Sequence, residues 1–303
     1  MNAQGAQGAR RWLPWLVAVA ILAFLVREVR LDTLREALRH GPWLALAAYI
    51  VLEVVLALPA DTFGTREALA AAGVRRPWRE VLLARGASYL LGLLSYVAGQ
   101  GGMGFHLART GVPVGRSAGA VLLLMIANGI VLVLLGAAGL GIELARGGLE
   151  GAPTELLALT VAAAFSGTLA YLLVIAIRPR WLERYSLLAP LLEAGVAGHL
   201  RAIAARFPHM LLLVVLHWGA FRVWGIEVPF FLGLALNPIV LLIAALPVTP
   251  GGLGTTQALQ VLFFGPYASA PIVLAFSLVH HVIGQMVQAA VGFVCLAILR
   301  REP

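Results

Sequence analysis

Between Arg116 and Glu143 the chain carries no charged residue. A bilayer core takes a helix of roughly 20 apolar residues to cross, so this stretch is long enough to span. Similar apolar runs occur at 12–26, 42–59, 81–98, 156–177, 210–226, 229–246 and 272–299. With 117–142 they make eight candidate spans, each bounded by charges or helix breakers. Composition agrees with this reading. Of 303 residues, 61% are hydrophobic and only 12% are charged, too few to clothe a water-soluble fold of this size. A soluble enzyme, a disordered chain and a disulfide-stapled scaffold are excluded on that ground. The expectation is an all-α integral membrane protein of about eight transmembrane helices. It forms a single transmembrane domain over 1–303, divisible into halves 1–150 and 151–303. The run at 12–26 follows Arg10 and Arg11 and is not followed by a small-residue cleavage pattern, so it reads as a retained first span.

The connections carry most of the charge. Residues 31–39 form a short amphipathic stretch, with Leu31, Leu34 and Leu38 on one face. Residues 61–80 read as a polar connection. Residues 178–209 place Trp181, Tyr185, Leu188 and Leu192, then Val196, Leu200, Ile203 and Phe207, at helical spacing. Arginines 178, 180, 184, 201 and 206 lie on the other sides. This pattern suggests helices lying in the headgroup region. Net charge is +8, and all 22 basic residues are Arg. Such a balance suits anionic lipid headgroups, and no accompanying binding module argues for nucleic acid. With eight full crossings the arginines divide ten to eleven between the two sides. Orientation is therefore open, and the reading that places both termini inside is carried forward. The single cysteine, Cys295, can form no internal disulfide.

Two glycine-rich motifs punctuate the apolar runs. Gly101, Gly102 and Gly104 form GGMG, and Gly251, Gly252 and Gly254 form GGLG, 150 residues later. The stretch 99–110 is too rich in glycine for an ordinary helix, and Pro247 and Pro250 interrupt the second. Non-helical backbone at membrane depth survives only where protein buries it or where it lines a wet cavity. Paired broken or re-entrant segments in two halves of a transporter point to a central binding site and a pseudo-symmetric core. The alternative is a pair of ordinary surface loops, and spacing does not choose between them.

Residues 246–259, LPVTPGGLGTTQAL, resemble the late signature of the lysylphosphatidylglycerol synthase transmembrane-region family, Pro-x-x-Pro-Gly-Gly-Leu-Gly-x-x-Glu. Residues 101–109, GGMGFHLAR, resemble its earlier motif, Gly-Gly-x-Gly-Gly-Asp-x-x-Arg. The resemblance covers nearly the whole chain in span order and implies an eight-span, flippase-like, lipid-translocating fold without the soluble aminoacyl-transfer domain. It also implies site roles for the glycines and for Arg109, which aligns with the family Arg; Thr255, within the second motif, is a further substrate-binding candidate. The family's two acids align with His106 and Gln257, so both carboxylates are replaced by polar groups. That departure suggests a different mechanism, a less cationic lipid or an inactive relative.

Ionisable residues inside spans are functional candidates. Glu53, with Tyr49 one turn earlier, lies in the second run, Arg85 in the third and Arg222 in the sixth. Each has a bland reading: Arg85 can snorkel, and Glu53 can serve as a structural partner of Arg85 or Arg222. The last run carries a polar stripe, Ser277, His281, Gln285, Gln288 and Gly292, which would either line a site or bond neighbouring helices. No zinc-protease motif, nucleophile elbow or nucleotide-binding loop occurs. No enzyme activity, cofactor or metal is therefore expected, and transport would be passive or gradient-coupled. The leading expectation is translocation of a phospholipid or lipid-linked amphiphile across the cell inner membrane of a bacterium or archaeon. In it, Arg85, Arg109 and Arg222 attract phosphate, and His106, Gln257, His281 and Gln285 bind headgroup polar atoms. The second is an accessory, non-transporting membrane subunit that docks a lipid-modifying enzyme such as a lipid synthase or glycosyltransferase.

Overall fold

The computed structural model describes residues 3–147 and 154–301. Among them there are eleven α-helices, two 3-10 turns and no strand. The helices are α1 (Ala3–Glu28), α2 (Leu31–His40), α3 (Trp43–Ala71), α4 (Trp78–Gly92), α5 (Tyr96–Arg109), α6 (Val114–Ala145), α7 (Thr154–Ile177), α8 (Ala189–Val223), α9 (Phe230–Ala244), α10 (Thr255–Phe264) and α11 (Ala270–Leu299). Five of these, α3, α6, α7, α8 and α11, contain segments long and apolar enough to cross a membrane. The runs expected at 117–142, 156–177 and 272–299 fall on α6, α7 and α11. The amphipathic stretch falls on α2, whose Leu34 is buried. The expected division between residues 150 and 151 lies outside the described residues.

Several boundaries differ from expectation, each for a physical reason. Pro59 does not end the second run, because α3 continues through it to Ala71. A proline is tolerated in a membrane helix when neighbouring groups satisfy the freed backbone. Asp61, expected in a polar connection, is therefore inside a helix and 1% exposed. The third run is broken at residues 93–95, between α4 and α5, and Ser95 caps α5 by accepting from the Ala98 amide. The seventh run is only the 15-residue α9. At 1.5 Å per residue, helices of 15 residues reach about 22 Å, short of the roughly 30 Å hydrocarbon core. Residues 196–209 are not a separate surface helix, though Leu200, Arg201 and Phe207 remain exposed. The stretch forms part of α8, which kinks at Gly195 and packs along α3 and α6.

The glycine-rich stretch 99–104 is the main reversal. The motif is helical throughout, inside α5. Two glycines of this stretch serve close packing rather than a break: a Cβ on Gly99, just before the motif, would stand 3.1 Å from Gly92 Cα, and one on Gly102 would stand 2.9 Å from Leu91 Cδ1. Two short helices thereby pack face to face as a hairpin. The second motif is broken as expected, with Gly251, Gly252 and Gly254 all at positive φ.

One order of elements occurs twice. A long helix, two short helices and another long helix make α3 to α6, and the same series makes α8 to α11. The pairings repeat as well. α4 packs on α11, α9 packs on α6, and the first helices of the two series, α3 and α8, pack on each other. Small residues allow that last approach: Gly64 lies beneath the Arg206 stem, and Gly219 beneath the Tyr49 ring. The two helix breaks meet where the Gly251 amide donates to the Leu94 carbonyl at 3.0 Å.

Candidate functional site

Beside that junction lies a cavity of about 450 Å³. It is lined by α3, α4, α5, α6, α8, α9 and α11, so both series of helices contribute. Ile50, Val54, Met125, Leu132, Leu213, Leu241 and Leu242 supply apolar wall. The polar groups gather at two places.

The first is built on Asp61. Arg85, on α4, donates to Asp61 Oδ2 from Nη2 at 2.7 Å and from Nε at 3.0 Å. Arg206, on α8, donates from Nη1 to Asp61 Oδ1 at 2.6 Å and to the Asp61 carbonyl at 2.9 Å. Thr65 donates to Oδ1 from one turn further along α3. Outer partners hold the guanidinium groups in place. Gln100 accepts from Arg85 Nη1 at 3.1 Å, and Asn128 accepts from Arg206 Nε at 2.5 Å. Asn128 in turn donates to the Tyr96 hydroxyl. Asp61, Arg85 and Arg206 are respectively 1%, 6% and 1% exposed, so all three are removed from bulk water. Burying charge is tolerable here because every carboxylate oxygen is met by a charge-assisted bond. Two cations against one anion leave the cluster with a net charge of +1, facing the cavity.

The second place is built on Glu53, two helical turns earlier on the same face of α3. Its Oε2 is 3.1 Å from His280 Nε2, on α11. The His280 ring lies edge-on to His217, on α8, with centroids 4.8 Å apart. His217 Nε2 is 2.7 Å from Gln260 Nε2, on α10. Glu53 is thus no partner of Arg85 or Arg222, as one reading of the sequence had it. Both cavity arginines are committed to Asp61.

The expected site residues separate accordingly. Glu53, Arg85, Gly251 and Gln285 line the cavity, and Gln285 Oε1 is buried without a partner among the described residues. Gln288 also lines it, with His280 and Gly284, so the cavity-facing stripe of α11 is displaced from the one read in the sequence. His281, Gly252, Gly254 and Thr255 are not among the lining residues. His281 stands close to Gly251, behind the wall. Thr255 donates to the Gly252 carbonyl and so secures the break itself. Gln257 is fully buried, and its Oε1 accepts the Gly254 amide at 2.6 Å. It caps α10 rather than facing a ligand, and a Glu at the same position would cap equally well. His106 pairs with Glu80 at 3.1 Å, at the far ends of the short helices, away from the cavity. Gly101 is exposed, Gly102 and Gly104 pack within the helix bundle, and none of them lines it. Arg109 is exposed beside the Phe105 ring, and Arg222 lies at the end of α8 near Glu227.

Asp61, Gln100, Arg206, His209, His217 and His280 are the lining residues that sequence reasoning passed over as site candidates. A signal was present for α8, because Arg206, His209 and His217 share one helical face across residues that looked interfacial. A signal was present for α3 as well, where Glu53 and Asp61 fall eight residues apart.

No curated protein matches the chain. The family assignment rests on the length of the chain itself: residues 11–292 match the family described as the lysylphosphatidylglycerol synthase TM region. This multi-helix membrane protein therefore belongs to the lysylphosphatidylglycerol synthase transmembrane-region family.

Proposed function

We propose that the protein moves the headgroup of a phosphate-bearing lipid, or of a lipid-linked amphiphile, between the leaflets of a bacterial or archaeal inner membrane. The observation that carries this reading is the cavity at the meeting of two helix breaks, with a buried cluster of net charge +1 at one end. A buried cationic cluster attracts an anion, and a phosphodiester matches the planar donors of guanidinium. The apolar wall lets the acyl or prenyl chains remain in lipid while the headgroup occupies the cavity. Alternating access through paired broken helices is the general logic of such folds. No catalytic role is proposed, and the membrane lipid itself is the proposed partner.

The same reading takes α4 with α5, and α9 with α10, as two re-entrant hairpins that leave the membrane on the face they entered. The two series of helices then form an inverted repeat, and the arginine count changes. Among described side chains, Arg66, Arg75, Arg76, Arg79, Arg109, Arg116, Arg178, Arg180, Arg184, Arg201, Arg300 and Arg301 share one face. Six, Arg27, Arg30, Arg35, Arg39, Arg146 and Arg222, share the other. Ion pairs tie the richer face together, Arg201 to Glu67 and Arg116 to Glu193. A bias of twelve to six orients that face, and the C-terminus with it, toward the cytoplasm. The accessory-subunit alternative drew on the two replaced carboxylates and on surface helices at 178–209, and residues 189–209 of that segment belong to α8, which packs one face along α3 and α6.

The test is reconstitution into liposomes with fluorescent phosphatidylglycerol in both leaflets. Dithionite bleaching of the outer label should reach the inner pool in wild-type vesicles and not in protein-free ones. Equal protection in the two would overturn translocation of that lipid.

A further inference from the structure

Two carboxylates line the cavity, and they are held in opposite ways. Asp61 is locked as an anion, because arginine does not give up its proton in proteins and both oxygens of Asp61 are occupied. Glu53 has no arginine partner: its Oε2 stands 3.1 Å from His280 Nε2, and the His280 ring lies edge-on to His217. Three contacts line up from Glu53: its 3.1 Å contact with His280, the edge-on contact of the His280 and His217 rings, and the 2.7 Å contact of His217 with Gln260, whose Oε1 is buried without a partner among the described residues.

The charges make this difference consequential. With neutral histidines the cavity holds two arginines and two carboxylates and has no net charge. One proton on Glu53 or His280 raises it to +1, which balances a single phosphodiester anion. We propose that Glu53, His280 and His217 form a proton-binding site, and that the proton and the lipid phosphate bind the cavity together. The pair enters and leaves with no net charge, so a pH difference across the membrane biases the direction of lipid movement. This rests on the translocation reading above and adds its coupling ion.

Other ionisable groups share the cavity and define what the site must be distinguished from. On α3 they are Tyr49, bonded to the Leu216 carbonyl, and Asp61. α4 contributes Arg85 and Tyr89, and α5 contributes Tyr96. α8 contributes Arg206 and His209, the latter 3.8 Å from Asp61. α6 presents only uncharged Asn128, and α9 presents no ionisable side chain. His209 is the competing proton acceptor in the wall, and it stands among the two arginines, where an added positive charge is opposed; His281, next to His280 on α11 and close to Gly251, is a further imidazole behind the wall.

The deciding measurement is calorimetric binding of dihexanoyl-phosphatidylglycerol to the detergent-solubilised full chain, between about pH 5 and 8 where histidine pairs titrate. Wild type should bind more tightly as pH falls, by up to about tenfold per pH unit for one linked proton. Glu53→Gln keeps an acceptor for His280 but removes the carboxylate that takes the proton or balances it on His280, and should flatten the dependence. His280→Gln is the second variant, should Glu53→Gln fail to fold, and should flatten it too. A flat wild-type profile, or an unchanged slope in both variants, overturns the proposal. If wild type binds none of this lipid, the translocation reading fails for it. Potentiometric titration then judges the proton site alone: greater proton uptake by wild type than by Glu53→Gln sustains it, and equal uptake overturns it.

Discussion

Asp61 is the residue on which the cavity depends, and its importance follows from what surrounds it rather than from its own position. Three helices meet at its carboxylate, because Arg85 comes from α4 and Arg206 from α8. Deleting one member of a buried ion cluster leaves the others charged and unpaired, at a cost of about 3–5 kcal/mol. Asp61→Ala is therefore expected to lower the thermal midpoint sharply in a fluorescence size-exclusion melt, more than Glu53→Gln does. A smaller loss for Asp61→Ala would mean that the arginines reach water. The positions where the family's acids are replaced behave differently. Gln257 keeps the helix-capping bond a carboxylate would make, and His106 recovers a carboxylate partner in Glu80. Neither position lines the cavity.

At the scale of elements, the two glycine motifs do different work. Gly101 is exposed on α5, and a methyl group added there would meet nothing within 4 Å. Gly101→Ala should stabilise by up to about 1 kcal/mol, as glycine-to-alanine changes do in helix interiors. Gly251 has φ 57°, and a Cβ there would lie 3.1 Å from Gln285 Nε2 and 3.2 Å from the Leu93 carbonyl. Gly251→Ala should cost about 1–2 kcal/mol from the left-handed backbone alone. It should also slow leaflet exchange, because it wedges the two helix breaks apart. Opposite signs for the two variants in the same melt would confirm one helix and one break. The sequence pattern could not separate the cases, since glycine permits both a turn and the close approach of two helices. Only the neighbour across the gap, Gly92 for Gly99, decides which use applies.

At the scale of the whole molecule, the proposed hairpin reading sets which helix ends share a face. Cysteine labels test it. Cys295 is buried against Gly86, so Cys295→Ala gives a background free of thiols. In that background Arg75→Cys and Arg301→Cys should be labelled by impermeant maleimide only from the cytoplasmic side, and Arg146→Cys only from the other. Arg75 and Arg146 labelled from the same side would remove the hairpin reading. Under eight full crossings the arginines divide almost evenly, and it is the proposed reading of α4 with α5 and α9 with α10 as hairpins that turns this into twelve to six.

The apolar runs by themselves determined that this is a helical membrane protein. Transfer of apolar side chains out of water accumulates locally, residue by residue, and needs no knowledge of partners. α6, α7 and α11 were legible for that reason, as were Glu53 and Arg85 as charges inside apolar surroundings. The glycine-proline break at 247–254 was legible because its cause is local backbone geometry. The Asp61 cluster was not. Asp61 and Arg206 are 145 residues apart, and each sits where the local pattern resembles a connection. Only packing of α8 along α3, through Gly64, brings them together and turns two apparent surface charges into the floor of a cavity.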